Sequence, residues 1–374
     1  MGVDRLKVML YTGQFQKIGR LGAPTSVACQ LVRNGAGAAE VTFPASAIRA
    51  NRALEDDARM VLVLDDEPMF SGPIVELTGK GPEKRSLVTA TVEDDWRLFN
   101  RVLGWPVPGQ PATNQAGAEY ATYTGSAEKI VKDVVTANAV NRLGLPVVVA
   151  PNQNRGAVIA GGLKFRMDTL ADKLFPAVEN AGLNVHVIQD GTNGLRLDVS
   201  TPTVYPRTLS EAAGTLREWE WSRTNPTMTR LVVGGKGEGT ARAFRAGAVA
   251  ARETQFRDVI EQFVEDTSAE SLAELEQSLA EQLKDGGPTA GLKLTLSETK
   301  HFRFGQVNVG DQVTLDVGGQ TITDRVRSAS IEWTRTSGLR FNPVAGEWSS
   351  DPDLTVYKTI QRIARGLRIT KAGK

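Results

Sequence analysis

Short runs of alternating apolar and polar positions dominate the first hundred residues. Residues 8–10, 25–32, 39–43 and 60–64 are such runs, separated by Gly, Pro and Asn, and they predict strands of a small sandwich or barrel. Val61-Leu62-Val63-Leu64, the acidic turn Asp65-Asp66-Glu67-Pro68 and the run 69–77 predict a hairpin. A third strand is expected over 86–92, after a polar loop at 79–85.

From 103 to 125 the alternation gives way to a stretch dense in Pro, Gly and small polar residues, beginning Leu103-Gly104-Trp105-Pro106-Val107-Pro108. This predicts a long surface loop, of a length that is usually functional or disordered. Ser126 is placed to cap a helix to about Leu143, with Ile130, Val131, Val134, Val135 and Val140 on one face and Gly144 as its stop. A second helix is expected over 168–181, stopped by Gly182 and kinked or broken at Pro176. A hairpin follows, with strands at 183–188 and 195–199 around Asp190-Gly191-Thr192-Asn193-Gly194.

Residues 215–233 return to strand character, with Trp219 and Trp221 two positions apart on one face. The clearest helix comes next. Thr267-Ser268-Ala269-Glu270 reads as a capping box, and Leu272, Leu275, Leu279 and Leu283 recur at intervals of 3, 4 and 4. Ten acidic residues between 253 and 285 are matched only by Arg257 and Lys284, so this stretch reads as a solvated or partner-facing surface. Gly286-Gly287-Pro288 ends the helix. Strands at 292–296, 307–309, 313–317, 320–323 and 326–333 then predict a compact β-barrel-like module over 288–345.

The fold class expected is mixed and β-rich, of the α+β type: β-barrel or sandwich modules with small α/β insertions. The expected division is an N-terminal barrel or sandwich over 1–100, an α/β insertion with the Pro/Gly loop over 101–214, a strand segment plus acidic helix over 215–287, a β-barrel-like module over 288–350, and a basic tail over 351–374. At 374 residues the chain is long enough for two or three domains with real cores.

Charge and rare residues narrow the chemistry. A net charge of +1 gives no electrostatic footprint for nucleic acid or an anionic membrane. The single cysteine, Cys29, excludes an intrachain disulfide and a Cys-based zinc site, and it reads as a small buried hydrophobe. A hydrolase triad would have to use His186 or His301, the two histidines present. His186 alternates with Val185 and Val187, so it reads as a surface or hydrogen-bonded residue with no Ser or carboxylate partner identifiable. No stretch nears the roughly 20 apolar residues of a membrane span. Asp4, Arg5 and Lys7 leave no signal-peptide core, so the expectation is synthesis in a cytoplasm without standard export.

The glycine cluster Gly234-Gly235-Lys236-Gly237-Glu238-Gly239 follows an apolar strand but fits neither a Walker loop nor a dinucleotide fingerprint. Lys236 is followed by Gly237 rather than Ser or Thr, and Glu238 would repel a pyrophosphate, so a flexible turn is expected. The paired carboxylates Asp65-Asp66, Asp56-Asp57 and Glu93-Asp94-Asp95 read as solvated turn acids. Trp105, Pro106, Tyr120 and Tyr123 in or beside the long loop suit a protein contact, the alternative being that Trp105 packs back on its own domain. Val356, Ile360, Ile363 and Leu367 lie at helical spacing among Lys358, Arg362, Arg365, Arg368, Lys371 and Lys374. This segment, with Arg362 and Arg365 as candidate contacts, either touches nucleic acid or an acidic partner or forms a solvated amphipathic end. The acidic stretch 253–285 offers it an intramolecular or intersubunit target.

The order of local phrases adds a resemblance. Phe70-Ser71-Gly72-Pro73-Ile74, Leu103-Gly104-Trp105-Pro106-Val107-Pro108, Asn225-Pro226 leading to the 232–242 glycine segment, and Asn308-Val309-Gly310-Asp311-Gln312-Val313-Thr314-Leu315 together resemble the Gp37-like minor tail proteins of long-tailed phages that infect actinobacteria, over roughly 3–345. That family is similar to phage baseplate or tail-tip hub proteins. The resemblance implies a homotrimeric ring of β-barrel domains with small α/β insertions, which sits below the distal tail protein, meets the tape measure protein and encloses a channel that opens for genome ejection. It further implies a structural, non-enzymatic virion protein assembled in the host cytoplasm. Other tail-tip or receptor-binding proteins would be partners, DNA would pass without specific binding, and no cofactor or metal is expected. In that setting Gly310-Asp311 is a turn leading into a strand. No lytic domain is inferred after the last barrel. The alternatives are a tail-associated cell-wall hydrolase using carboxylates among Asp65, Asp66, Glu93 and Asp94, and the hub of a phage-derived injection device.

Overall fold

The computed structural model describes residues 5–346 apart from 83–85, 238, 268, 270, 298, 300, 301, 304, 318 and 319. His301, Arg362, Arg365 and the rest of the basic segment lie outside the described residues. Contacts divide the chain into two units, one within Met1–Glu218 and Leu294–Val344, the other within Trp219–Lys293 and Ala345–Lys374.

The first unit opens with seven strands: β1 (Leu6–Tyr11), β2 (Lys17–Arg20), β3 (Ser26–Val32), β4 (Ala38–Pro44), β5 (Arg59–Leu64), β6 (Glu67–Lys80) and β7 (Leu87–Glu93), with a single helical turn α1 (Ala50–Ala53) between β4 and β5. Alternate residues point inward as the period of two requires: Val27 and Cys29, then Ala39, Val41 and Phe43, then Val88, Ala90 and Val92 are buried. All these neighbours run antiparallel in the order β3-β4-β7-β6-β5-β1-β2. Asp65 and Asp66 close the β5–β6 hairpin with φ of 50° and 70°, a left-handed pair that aspartate tolerates. The fourteen-residue β6 pairs with β5 through its first half and with β7 through its second, shifting register between Ile74 and Glu76. Such a bent strand shared by two partners is how barrels turn corners.

Residues 97–203 form the insertion. In chain order it holds α2 (Leu98–Arg101), β8 (Leu103–Gly104), β9 (Ala121–Ser126), α3 (Ala127–Val135), β10 (Val147–Val149), β11 (Val158–Phe165), β12 (Asp168–Thr169), α4 (Leu170–Asn180), β13 (Asn184–Gln189) and β14 (Leu195–Ser200). Ser126 caps α3 as expected, accepting from Lys129 N, and the helix widens into a π-turn over Thr136–Asn141 before Gly144 ends it at φ 64°. Ile130, Val131, Val134 and Val135 meet Leu170, Leu174 and Val178 of α4 and Val185, Val187, Leu197 and Val199 of the hairpin in one core. Trp96 stacks on Phe175 with ring centroids 4.2 Å apart.

Two expectations change here. Strands β8 and β9 trim the long loop to 105–120. Pro176 neither breaks nor interrupts α4, which is continuous to Asn180: Leu174 and Val178, buried on either side of it, hold the turn that lost one hydrogen bond.

After β15 (Val204–Ser210), β16 (Leu216–Thr224) leads into the second unit. Its centre is β17 (Arg230–Gly234), flanked by antiparallel β18 (Phe244–Ala248) and, beyond α5 (Ala250–Phe256), by parallel β19 (Glu261–Glu265). Helix α6 (Leu272–Asp285) lies on one face, where Leu275, Leu279 and Leu283 cover Leu231 and Val233. It starts four residues later than expected, because a second capping box, Ser271-Leu272-Ala273-Glu274, follows the first, and Ser271 Oγ accepts from Glu274 N. The acidic stretch is also less solvated than its composition suggests, since Glu253, Glu265 and Glu276 pair with Arg230 of β17, Arg242 in the turn before β18 and Arg245 of β18.

Strand β20 (Thr289–Leu296) leads back, followed by β21 (Gln312–Val317), β22 (Gln320–Thr334) and β23 (Gly338–Gly346). The contacts draw the domains differently from the sequence division. Ser328 to Thr334 of β22 pair with Val32 to Ser26 of β3, and β21 pairs in parallel with β15, so these late strands extend the early sheet. Alternation marks which face of a strand is buried but not its partner, which is why a separate module was expected. The expected strands 320–323 and 326–333 are one strand. Residues 307–309 are a turn rather than a strand, held by Asn308 N donating to Asp311 Oδ2 and Gly310 N donating to Val326 O.

Candidate functional site

The first unit holds an open cleft of about 600 Å³. Its walls are the start of β6 from Pro68 to Ser71, strand β13 from Asn184 to Ile188, the Arg33-Asn34 turn after β3, and the turn Asn308 to Asp311. Two buried polar clamps fix these walls.

In the first clamp the Arg33 guanidinium donates from Nε to Asn184 Oδ1 at 2.7 Å, from Nη2 to the Leu183 carbonyl at 2.9 Å and from Nη1 to Glu179 Oε2 at 2.5 Å. Asn34 completes it, accepting from Val185 N at 2.8 Å and donating to Glu179 Oε1 at 2.7 Å. Asn184 passes the contact on by donating to the Gly310 carbonyl at 3.2 Å. Arginine suits this position because its planar fork serves several acceptors at once and keeps its charge when buried.

In the second clamp Arg59 Nη2 reaches both oxygens of Asp95 at 2.6 Å, and Ser71 Oγ donates to Asp95 Oδ2 at 2.6 Å while accepting from Gln189 N at 2.8 Å. Arg59 Nε donates to Gln189 Oε1 at 3.1 Å. Every charge here is matched, so both clamps join the hairpin β13–β14 to the sheet.

Asp94, Asp311 and His186 are among the titratable groups that line the cleft. Asp94 accepts from Gly37 N and Trp96 N at 3.2 and 2.9 Å, and burial beside Asp95 and Glu93 pushes its pKa up to about 7. Asp311 is also raised by burial, and His186 is lowered by desolvation. His186 Nε2 lies 3.0 Å from Ser200 Oγ, a partner the sequence reading missed. The register His186↔Asp198 places Ser200 diagonally across the hairpin, so working out the cross-strand register would have found it. Among the described residues no carboxylate is bonded to the imidazole's other nitrogen, the third contact that orients a catalytic histidine.

The sequence-selected carboxylates are spread over separate ion pairs. Asp65 is held by Arg5 at 2.7 and 2.5 Å, Asp66 by Lys7 at 2.5 Å, and Glu93 by Arg97 and Arg101 at 3.1 and 2.5 Å. Cys29 is buried, and burial raises its thiol well above the usual range. Among the described residues no group of three or more His, Cys, Asp or Glu is placed to hold a metal ion, and no helix is long and apolar enough to cross a membrane.

The loop aromatics turn toward the insertion. Trp105 is half-buried, its N donating to Asn138 Oδ1 at 2.9 Å and its ring lying 4.5 Å beneath the Arg142 guanidinium. Pro106 is buried. Tyr123 packs edge-on against Phe165 at 5.7 Å, and its hydroxyl accepts from Asn138 Nδ2 at 3.3 Å. Tyr120 sits between Lys164 and Arg166, each within 6 Å of its ring. Gln115 ties the loop itself, bonding Val107 N and the carbonyls of Val107, Gln110 and Pro111.

The recurring phrases have structural reasons as well. A Cβ on Gly72 would meet the Glu93 carbonyl oxygen at 1.8 Å, one on Gly104 would meet Phe165 at 2.3 Å, and one on Gly310, at φ 99°, would meet Asn184 at 2.4 Å. In the glycine cluster Arg242 bonds the Gly235 carbonyl at 3.1 Å, and Gly237 has φ 109°, which makes the segment a turn.

Comparison with known proteins places these features in a family. The sequence model for the Siphovirus ReqiPepy6 Gp37-like protein matches residues 7–347. No curated protein matches the sequence. Solved structures share the fold at low identity. A tail protein from Neisseria meningitidis MC58 aligns at a TM-score of 0.60 and 13% identity over 91% of this chain and 96% of its own. The 43 kDa tail protein of prophage MuSo2 from Shewanella oneidensis aligns at 0.58 and 12% over 91% and 98%. Prophage tail protein gp18 from Listeria monocytogenes EGD-e aligns at 0.55 and 12% over 97% and 99%.

Proposed function

This chain belongs to the Siphovirus ReqiPepy6 Gp37-like family, a family of structural phage-tail proteins, and on that premise we propose that it forms the trimeric hub of a long-tailed phage's tail tip. In this role it links the distal tail protein to the tape measure protein and surrounds the path of the ejected genome. The observation that carries the reading is the extent of the shared fold: more than nine tenths of this chain aligns with nearly the whole of three tail proteins, two of them from prophages. The cleft agrees with a part that assembles. Its buried charges are engaged in fixing the insertion to the sheet, as a subunit under mechanical load requires. Function then resides in subunit contacts, and the protein's place is the virion.

Imaging of purified tail tips tests the proposal. The expected result is three copies of this chain in one ring, in contact with the distal tail protein. A chain that stays monomeric at micromolar concentration and fails to bind the distal tail protein would overturn it.

A further inference from the structure

Strand β6 outlasts its partner β5. It pairs with β5 from Glu67 to Pro73 and with β7 from Ile74 to Lys80, so over 75–80 the edge away from β7 has no strand beside it among the described residues. All six of these residues are exposed. Such an edge presents a row of backbone donors and acceptors that another strand can take up. The side chains agree with the backbone. Directly opposite residues share a face of a sheet, and the register continues the row Val41-Ala90 into Leu77 and the row Phe43-Val88 into Gly79. Val41, Ala90 and Phe43 are fully buried, whereas Leu77 is 38% exposed and a Cβ on Gly79 would meet nothing within 4 Å. The core layer thus reaches the edge of the sheet unfinished. On the other face the edge carries Glu76, Thr78 and Lys80, and among the described residues neither charge has an ion-pair partner.

We infer that this edge pairs with the same edge of a second copy of the chain, antiparallel and about a two-fold axis at Thr78. In a two-fold antiparallel pair, opposite residues must lie on the same face, so the axis passes through one residue position. With the axis at Thr78, Glu76 of each copy faces Lys80 of the other, Thr78 faces Thr78, and Leu77 enters the open space over the other copy's Gly79. Opposite charges and paired threonines are favoured cross-strand neighbours. Moving the axis to Leu77 or to Gly79 sets Glu76 against Thr78 or against Pro82, and the match is lost. Edge strands are commonly kept apart by charges that repel a second copy. Here the two charges differ in sign and stand two residues either side of Thr78, so the edge attracts its own copy. Five residues a side is a fraction of the roughly 20–30 of a stable interface, so the expected dissociation constant is on the order of 100 µM. A two-fold contact cannot close a ring of three. It therefore concerns the chain outside such a ring, and the inference does not depend on the hub reading.

Two measurements on the full chain test it. In sedimentation between about 10 and 500 µM the native protein should pass from monomer to dimer. Glu76→Lys and Lys80→Glu should each weaken the dimer at least about tenfold, because symmetry sets like charges against each other at both pairs. The double variant Glu76→Lys, Lys80→Glu exchanges the two charges and should bring the dissociation constant back to within about threefold of the native value. Both positions are exposed, so unchanged thermal midpoints are expected and verify that every variant is folded. Independently, in a Cys29→Ala background, Thr78→Cys should form a disulfide-linked dimer under mild oxidation at least about tenfold faster than Val75→Cys. Val75 is exposed on the same strand, but in this pair it stands about 20 Å from its copy. A chain that is monomeric at about 500 µM, a dimer indifferent to the single reversals, a double variant that does not regain it, or equal crosslinking rates would each overturn the inference.

Discussion

Arg33 donates through Nε to Asn184 Oδ1 at 2.7 Å across 151 positions of sequence. This one contact joins the turn after β3 to the first residue of the insertion hairpin, and Asn184 hands it on to Gly310 in the turn before β21. Three segments far apart in the chain are thereby held at one point, beneath the cleft.

Replacing Arg33 with alanine should lower stability by about 3 kcal/mol, because it strands the Leu183 carbonyl and Asn184 Oδ1 in a buried site and removes the main partner of Glu179. Lysine should recover less than half of that, since its three N–H donors sit on one nitrogen and cannot reach acceptors that Arg33 meets from three separate nitrogens. Denaturant unfolding of the three proteins measures it. A loss below about 1 kcal/mol for alanine would show that the clamp is not what holds the hairpin.

Ser71→Ala removes a hydroxyl that accepts from Gln189 N and donates to Asp95. The buried amide is left without its acceptor, at a cost of about 1–3 kcal/mol. Hydrogen exchange at Gln189 should accelerate more than at Ile188, whose amide faces its partner Arg196 across the hairpin and is untouched; equal acceleration along β13 would indicate loss of the whole hairpin instead.

The parts of this molecule that were legible in the sequence are those set by local rules. The β5–β6 hairpin, the Ser126 cap, the Gly144 stop and the β13–β14 hairpin depend on residues within a few positions of one another. What local rules do not encode is partnership at a distance. Ser328 to Thr334 alternate cleanly, but nothing in them says that β3, three hundred residues earlier, is their neighbour. The clamps were hidden for the same reason: Arg33 and Glu179, or Arg59 and Asp95, are ordinary charges until folding places them together, and Ser200 became visible beside His186 only through the cross-strand register. Pro176 shows the converse, a strong local rule overruled by the burial of Leu174 and Val178.

Asp94 predicts a dependence on pH. Its folded pKa near 7 lies above the ordinary 3.8, so between those values the folded state holds a proton that the unfolded state has lost. Its contribution is fully present below about pH 4 and disappears as pH rises through 7. Asp94→Asn should therefore remove a decline in stability between pH 4 and 7, so that the variant gains on the native protein as pH rises. His186, whose pKa is lowered, acts in the opposite sense as pH falls below 6.5, and it is common to both proteins, so the difference between their profiles isolates Asp94. Parallel profiles would mean that the carboxyl is already ionised at pH 5.

Pro176→Ala should stabilise the protein by about 1–2 kcal/mol. Alanine supplies the amide that α4 lacks at this position and fits the same half-buried site, while the gain is reduced by the greater freedom of the unfolded chain. Thermal unfolding reads the sign directly. A lower midpoint would mean that the proline ring itself packs against the insertion.

Gly72 tests whether the Phe70-Ser71-Gly72-Pro73-Ile74 phrase is kept by packing. Strand β6 changes partners just beyond it, and there its backbone passes so close to β7 that a Cβ would sit 1.8 Å from the Glu93 carbonyl oxygen. Gly72→Ala must push β6 away from β7 at the point where Ser71 holds Asp95 and Gln189, so the corner strand and the second clamp fail together. The expected loss is at least about 3 kcal/mol, well beyond the 1 kcal/mol or less that glycine-to-alanine exchange gives by backbone entropy alone. Gly79→Ala, seven residues along the same strand with nothing within 4 Å of its added methyl, is the matched control and should be neutral or slightly stabilising. Equal stability of the two variants would refute the close approach of β6 to β7.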